Sequence, residues 1–504
     1  MATVDSENHL LEETIQSTEP STTSVKKAIF LSPLLHKTII FLVTFCVLFF
    51  SYAFIPGESY KYFKEGGLAY LGLVIYLFSI MTLFTFFLKK FWSSYLGSTR
   101  HLILLSFLTI FTVLSNGLSF TFSPYFSFLP AFAMLVRIFT NYQISLVLTI
   151  GLTISTYIFN ITDVTILAVN LFSIIISIFS LTKIQQRSDI VKAGLLVGGV
   201  NILLISSLKL IMNAKDLSLI LVNSGWGAAS GIAGAIVAIG SLPFLESLFG
   251  LVTSFKLFEL ANPNQPLLRQ LMMKAPGTYQ HSLIVGNLAE AAAEAINADP
   301  LLTRVGALYH DIGKMVRPYF FIENQLGIEN QHSKISARLS ALVITAHVKE
   351  GIELAKEQKL PSIIRDFNPM HHGTSLIAYL YHQAKQTEKP EDVIEAHFRY
   401  PGPKPRTKET AILMLADATE AAVRAISKPN VDQIQKTINK IIKARIDDGQ
   451  LAESPLTLID MDRISTEFLR ILQSLYHSRI EYPSEEKIMK DLGKKNINNA
   501  GLFK

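Results

Sequence analysis

The chain has 504 residues, 49% of them hydrophobic, and a formal net charge of +6. That hydrophobic share is high for a soluble protein, and so modest a positive charge gives no support for a nucleic-acid polymer as partner. A single cysteine, Cys46, excludes an intrachain disulfide framework and a thiolate metal site, so any metal would be held by histidine and carboxylate.

Residues 1–36 are polar, rich in Ser, Thr and Glu, and lack an apolar period, which predicts a disordered tail. They do not have the charged start, short apolar core and small-residue cleavage site of a signal peptide. Residues 37–245 then hold eight long apolar runs, near 38–55, 68–88, 102–121, 123–139, 143–160, 164–182, 190–212 and 219–242. A helix needs about 20 such residues to cross the hydrocarbon of a bilayer, so this half predicts a polytopic membrane domain of about eight helices.

Loop charge sets the orientation. Lys26, Lys27 and Lys37 precede the first run, Lys89, Lys90 and Arg100 follow the second, and Lys183, Arg187 and Lys192 follow the sixth. With eight spans all three groups share one side, which predicts cytoplasmic N- and C-termini in the inner membrane. Few ionisable groups fall inside the runs, and Arg137 lies near an end; that scarcity argues against a transporter. Gly194-x-x-x-Gly198 and Gly227-x-x-x-Gly231 allow close helix contact, read first as packing within the chain and second as a possible homodimer seam. Residues 246–262 read as a linker, and from Pro243 to Lys256 the chain leaves the membrane with Phe244, Leu248, Phe249 and Phe255 as interfacial anchors.

From residue 263 to 484 the pattern is that of an all-helical soluble domain, followed by a C-terminal tail over 485–504. LIVGNLAEAAAEAI and TAILMLADATEAAVRAI have helical composition and period, and no Gly-rich phosphate loop or nucleophile elbow is present. Nine of the twelve histidines lie after residue 250: His281, His310, His332, His347, His371, His372, His382, His397 and His477. One histidine on an apolar helix is ordinarily a packed or surface residue, so the argument rests on their company. His310 and Asp311 adjoin inside the apolar stretch LYHDIGK, where a buried carboxylate needs a partner and a metal is an effective one. His347 sits in ITAHV, His371 and His372 are paired, and Asp417 interrupts the apolar MLADAT. Imidazole and carboxylate without thiolate suit Fe, Mn, Co or Zn.

In this order, His, His-Asp, His, His-His, Asp, the residues resemble the HD superfamily of metal-dependent phosphohydrolases. More narrowly, ANPNQPLLRQLMMKAPGTYQHS, LYHDIGK, PYFFIENQ, ITAHVKEG, MHHGTSLIAYLY, FRYPGPKPRTKETAILMLADATEAAVRA and DGQLAESPLTLIDM resemble the seven-transmembrane HD family of bacterial membrane phosphodiesterases. The likeness runs from Ser254 to Pro483. It implies hydrolysis of the second messenger cyclic di-AMP to pApA by two divalent metal ions, Fe or Mn. By the family's pattern His281, His310, Asp311 and Asp417 hold one ion, and Asp311, His347, His371 and His372 the other, with Asp311 shared. Lys314 and Arg399 are then candidate phosphate contacts, with solvated surface cations as the plainer reading of both. The partners implied are a cyclic dinucleotide and the lipid bilayer. Two departures stand out: only Pro56 to Gly67 occupies the place of the family's large extracytoplasmic domain, and the turn before the first ligand reads Gln280-His281. The alternatives are a hydrolase of another nucleotide, such as guanosine tetraphosphate, and a nucleotide-binding signalling protein without activity.

Overall fold

The computed structural model describes residues 33–54, 66–119, 121–160, 163–182, 186–325, 327, 329–387 and 392–476. The expected tails, apart from Pro33 to His36, the loop from Pro56 to Glu65, and His477 lie outside these. Among the described residues the chain is all-α; its single β feature is an isolated bridge between Leu376 and Arg399.

Eight apolar helices follow one another: α1 (Pro33–Phe54), α2 (Gly67–Phe91), α3 (Thr99–Ser119), α4 (Leu129–Phe139), α5 (Tyr142–Asn160), α6 (Val164–Phe179), α7 (Arg187–Ile211) and α8 (Leu217–Phe249). They match the eight apolar runs in order. Five of them, α1, α2, α3, α7 and α8, are long and apolar enough to cross a membrane by themselves. The α4 helix is shorter than its run because the chain turns at Ser123-Pro124. There Asn116 Oδ1 accepts from the Phe128 backbone at 2.8 Å and Ser127 Oγ from that of Leu129 at 3.1 Å. At the other extreme α8 keeps its helical course through Pro243 to Phe249, seven residues past the end of its run.

Large apolar side chains face outward along these helices, as Leu68, Phe78, Leu83 and Leu203 do, while Asn116, Thr149, Ser177 and Asn201 are buried. This inversion is what a lipid solvent dictates, because lipid offers polar groups no partners. Hydroxyls back-bond to their own helix: Thr149 to the Ser145 carbonyl and Thr153 to that of Thr149. Others cross between helices, as where Asn201 accepts from Ser173 at 2.7 Å and donates to the Gly227 carbonyl at 3.0 Å. A Cβ on Gly194 would lie 2.5 Å from Ala235 Cβ, and one on Gly231 2.5 Å from the Gly198 backbone nitrogen. Both glycine motifs therefore serve a helix crossing within the chain.

Contacts divide the chain into two compact units. One takes residues up to Phe132 with Gln143–Ile174 and Val200–Ser230; the other takes Ala133–Tyr142, Ile175–Gly199 and everything from Gly231 onward. The second unit carries the histidines. Its longer helices after α8 are α9 (Ser254–Leu260), α10 (Pro266–Lys274), α11 (Pro276–Ala295), α12 (Pro300–Tyr309), α13 (Ala337–Glu357), α14 (Ala378–Thr387), α15 (Lys408–Arg424), α16 (Val431–Asp447) and α17 (Leu458–Leu475). Several ends are set by local chemistry. Asp299 and Ser336 cap α12 and α13, and Thr407 with Thr410 forms a capping box on α15.

Two cores flank α12. Ala307 joins Val285, Leu288, Ile412, Leu415, Ile464 and Phe468 on one side. On the other, Val305, Leu308, Tyr309 and Ile312 join Leu257, Leu260 and Leu271. Each fully buried valine, leucine, isoleucine or phenylalanine among them contributes about 1.5–3 kcal/mol. Clamped from both sides, α12 delivers His310 and Asp311 from its C-terminal end into the interior.

Candidate metal centre

The seven predicted ligands converge from five segments. His281 comes from the second turn of α11, His310 and Asp311 from the end of α12, His347 from α13, His371 and His372 from the turn after the short helix Phe367–Met370, and Asp417 from α15. Potential ligand atoms of Asp311, His347, His371 and His372 lie within 4.8 Å of one another, as do those of His281, His310 and Asp417.

Asp311 joins the two sets through its two oxygens. Oδ2 is 3.2 Å from His310 Nε2 and 3.8 Å from His281 Nε2, while Oδ1 is 3.3 Å from His347 Nε2 and 3.5 Å from His371 Nε2. His281 Nε2 and Asp417 Oδ1 are 3.1 Å apart, and His372 Nδ1 lies 3.9 Å from Asp417 Oδ2. Such proximity depends on Gly313. A Cβ there would stand 1.9 Å from the His347 carbonyl oxygen, so any other residue would push the His-Asp turn off α13.

The rings are pre-set to receive a cation. His310 Nδ1 donates to the Ala307 carbonyl at 2.7 Å, His371 Nδ1 to that of Phe367 at 3.0 Å, and His347 Nδ1 to that of Ile344. With Nδ1 carrying the proton, the lone pair sits on Nε2. The Nε2 atoms of His310, His347 and His371, and Asp311 Oδ1, are all buried without a hydrogen-bond partner. Four orphaned acceptors aimed at one small space would be costly to bury in a metal-free protein, and a divalent cation satisfies them. The residues thus fit a pair of His/Asp-bound metal ions.

Electrostatics agree. Burial opposes charge on Asp311, yet His310 and Lys314 hold its carboxyl well below the usual range. Asp417 is likewise held low against burial, chiefly by His281. Burial disfavours protonation of His281 too, but its hydrogen bonds to the Asp417 and Glu420 carboxylates outweigh it and push this imidazole up to about 9. His372 is driven well below the ordinary histidine value by burial and by its neighbour His371. Adjacent carboxylates and imidazoles displaced in opposite senses mark a site built around charge.

Of the two candidate phosphate contacts, Lys314 is at the centre. Its Nζ lies 2.7 Å from Asp311 Oδ2 and 3.0 Å from Glu323 Oε1. Arg399 has its donors engaged by the chain itself: Glu395 at 2.8 Å, the Thr374 carbonyl at 2.8 Å and Asp448 at 3.1 Å. It tethers the segment whose next residue, Tyr400, stacks on His372 with ring centroids 4.0 Å apart. His332, His382 and His397 belong to neither set.

Sequence reasoning missed three neighbours: Glu420, which bonds His281; Glu323, which holds Lys314; and Tyr400. Glu420 had a signal. It follows Asp417 by three residues on an apolar helix and so shares its face.

The fold and site define a polytopic membrane protein carrying a helical domain with a candidate His/Asp dimetal centre. A family described as 7TM receptor with intracellular HD hydrolase matches residues 68–253, and the HD domain family matches residues 278–422, which include all seven candidate ligands. The first match begins with α2 and contains seven apolar helices. The first match thus falls on the apolar helices and the second on the helical domain that holds the candidate ligands. It is 43% identical over 324 residues to the cyclic-di-AMP phosphodiesterase PgpH of Bacillus subtilis, covering 64% of this chain and 45% of that one. It is also 43% identical over 311 residues to the PgpH of Listeria monocytogenes, covering 62% and 43% respectively. The solved HD domain of L. monocytogenes PgpH in complex with cyclic di-AMP shares 46% identity, covers 43% of this chain and 100% of its own, and superposes with a TM-score of 0.41. The chain spans less than half the length of the curated relatives it matches.

Proposed function

We propose that this protein is a membrane-anchored phosphodiesterase that opens cyclic di-AMP to pApA at a pair of divalent metal ions. The observation that carries the reading is the junction at Asp311, whose two oxygens face different histidine sets. His281, His310, Asp311 and Asp417 would hold one ion, and Asp311, His347, His371 and His372 the other. A set of imidazole and carboxylate without thiolate suits Fe or Mn. Two such ions, when bound, neutralise charge developing on a phosphoryl group and make water acidic enough to attack near neutral pH.

The chain's own residues do the rest. The three backbone-bonded histidines keep their ring orientation, so no reorganisation is needed during reaction. Lys314, held by Glu323 against Asp311, presents a fixed ammonium for a non-bridging phosphoryl oxygen. Arg399 serves the substrate by holding Tyr400 in place; direct contact with a phosphate would require release from Asp448. Tyr400 offers a ring face beside His372.

The domain division follows the same reading: a membrane domain over 37–245, a linker over 246–262 and the hydrolase over 263–484. Eight apolar helices and the shared side of the basic loops support cytoplasmic termini in the inner membrane. A homodimer is compatible with this arrangement.

The test is turnover by the full chain in detergent, loaded with Mn or Fe and offered cyclic di-AMP, cyclic di-GMP and guanosine tetraphosphate. Conversion of cyclic di-AMP to pApA is the expected result. Preference for guanosine tetraphosphate would change the substrate, and bound metal with no turnover of any of them would leave a nucleotide-binding signalling protein.

A further inference from the structure

Four histidines line the centre through Nε2, and three of them rest their other nitrogen on a neutral backbone carbonyl. His281 differs. Its Nδ1 lies 2.6 Å from Oε2 of Glu420, a carboxylate with no solvent exposure. Glu420 is one turn beyond Asp417 on α15, and Arg424, a further turn on, places Nη1 3.3 Å from its other oxygen. The helix face thus presents Asp417 to the centre, Glu420 to the back of His281, and Arg424 behind Glu420 with 37% of its side chain exposed.

Burying a carboxylate costs several kcal/mol unless it is well partnered. A partly exposed arginine at 3.3 Å is a modest partner, while the bond to His281 is short and fully enclosed. A carboxylate behind a ligating imidazole fixes the ring and strengthens its lone pair, and losing it typically weakens metal affinity 10–100-fold. The second histidine set has no counterpart: His347 and His371 are backed by the Ile344 and Phe367 carbonyls.

We infer that Glu420 is a positioning residue for one of the two cation positions alone, the one formed by His281, His310 and Asp417. The two positions are therefore unequal, and the charge behind His281 is one cause. This inference rests on the metal-centre reading above.

The experiment titrates Mn²⁺ into the metal-free full chain in detergent, following the free-ion electron paramagnetic resonance signal and the signal of an exchange-coupled pair. Wild type is expected to take up two ions and show the coupled signal. Glu420→Gln should bind one ion as wild type does and the second about 10–100-fold more weakly, with the coupled signal lost at sub-saturating metal. Arg424→Gln, which leaves the Glu420–His281 bond in place, should bind both ions as wild type does. If wild type binds two ions and Glu420→Gln matches it at both, the inference is wrong and the metal centre stands. If wild type binds none, the metal-centre reading itself fails. Should Glu420→Gln not fold, Glu420→Asp provides the measurement: a carboxylate one methylene short is expected to weaken one ion several-fold, and unchanged affinity at both would overturn the proposal.

Discussion

The two halves of this chain follow opposite rules. Before Gly250, many leucines and phenylalanines face outward while asparagines, serines and threonines are enclosed; after it, leucines fill two cores. Both halves also bury polar groups, but differently. In the first, many hydroxyls and amides are answered by nearby carbonyls, as Thr153 is by Thr149 and Asn201 by Gly227, while Asn116 Nδ2 stands alone without a partner. In the second, three imidazole nitrogens and a carboxylate oxygen are left with no partner at the centre of the domain. Satisfied buried polar groups hold helices together; a converging set of unsatisfied ones marks a place for something else to bind. By that criterion the ligand-binding chemistry lies in the second half.

The largest expected effect breaks the centre. Asp311→Ala removes the carboxylate shared by both sets, so metal analysis should find neither ion bound tightly and turnover should fall to background. Full activity in that variant would end the shared-carboxylate assignment.

Next come substitutions that contrast the two kinds of interior. Phe468, fully buried in the second half, should cost about 3–5 kcal/mol as Phe468→Ala, read from chemical denaturation of that half. Leu203, 70% exposed on α7, tests the outer surface of the first half. Leu203→Lys should cost about 2.5–3.5 kcal/mol in a membrane-insertion assay if that surface faces lipid. Met273, 75% exposed on α10, supplies the control, since Met273→Lys should change stability by less than about 0.5 kcal/mol. Equal tolerance at the two positions would erase the distinction between lipid and water.

The smallest effect concerns the enclosed amides. Asn201→Ala loses bonds to Ser173 and Gly227, and should lower the unfolding midpoint in detergent by an amount equivalent to about 0.6–2 kcal/mol. A cost approaching that of Phe468→Ala would mean that the membrane half depends on its polar contacts as strongly as the soluble half does on its apolar core.

Much of this was legible in the sequence because the signals are local. A run of some 20 apolar residues announces a membrane helix wherever it falls, and all eight runs correspond to helices. Run length was a poorer guide to helix length: α4 starts late because Ser123-Pro124 and the Asn116 cap turn the chain, and α8 passes Pro243 without stopping. At the site, His-Asp inside an apolar helix and Asp417 in MLADAT were conspicuous as polar residues where burial was expected. Glu420 was less so, since one more glutamate on a helix is ordinary until its partner is known.

The sequence by itself determined the apolar runs and the helical class, because burial and period are written in neighbouring positions; the seven candidate ligands came as a set only through the resemblance to the HD families. Only the tertiary structure decided which oxygen of Asp311 faces which histidines, that Arg399 is occupied by Asp448 and Glu395, and that Glu420 stands behind His281. Those facts join residues as far as 139 positions apart, as in the His281–Glu420 pair, and no local pattern can encode a distance set by how α11, α12, α13 and α15 pack.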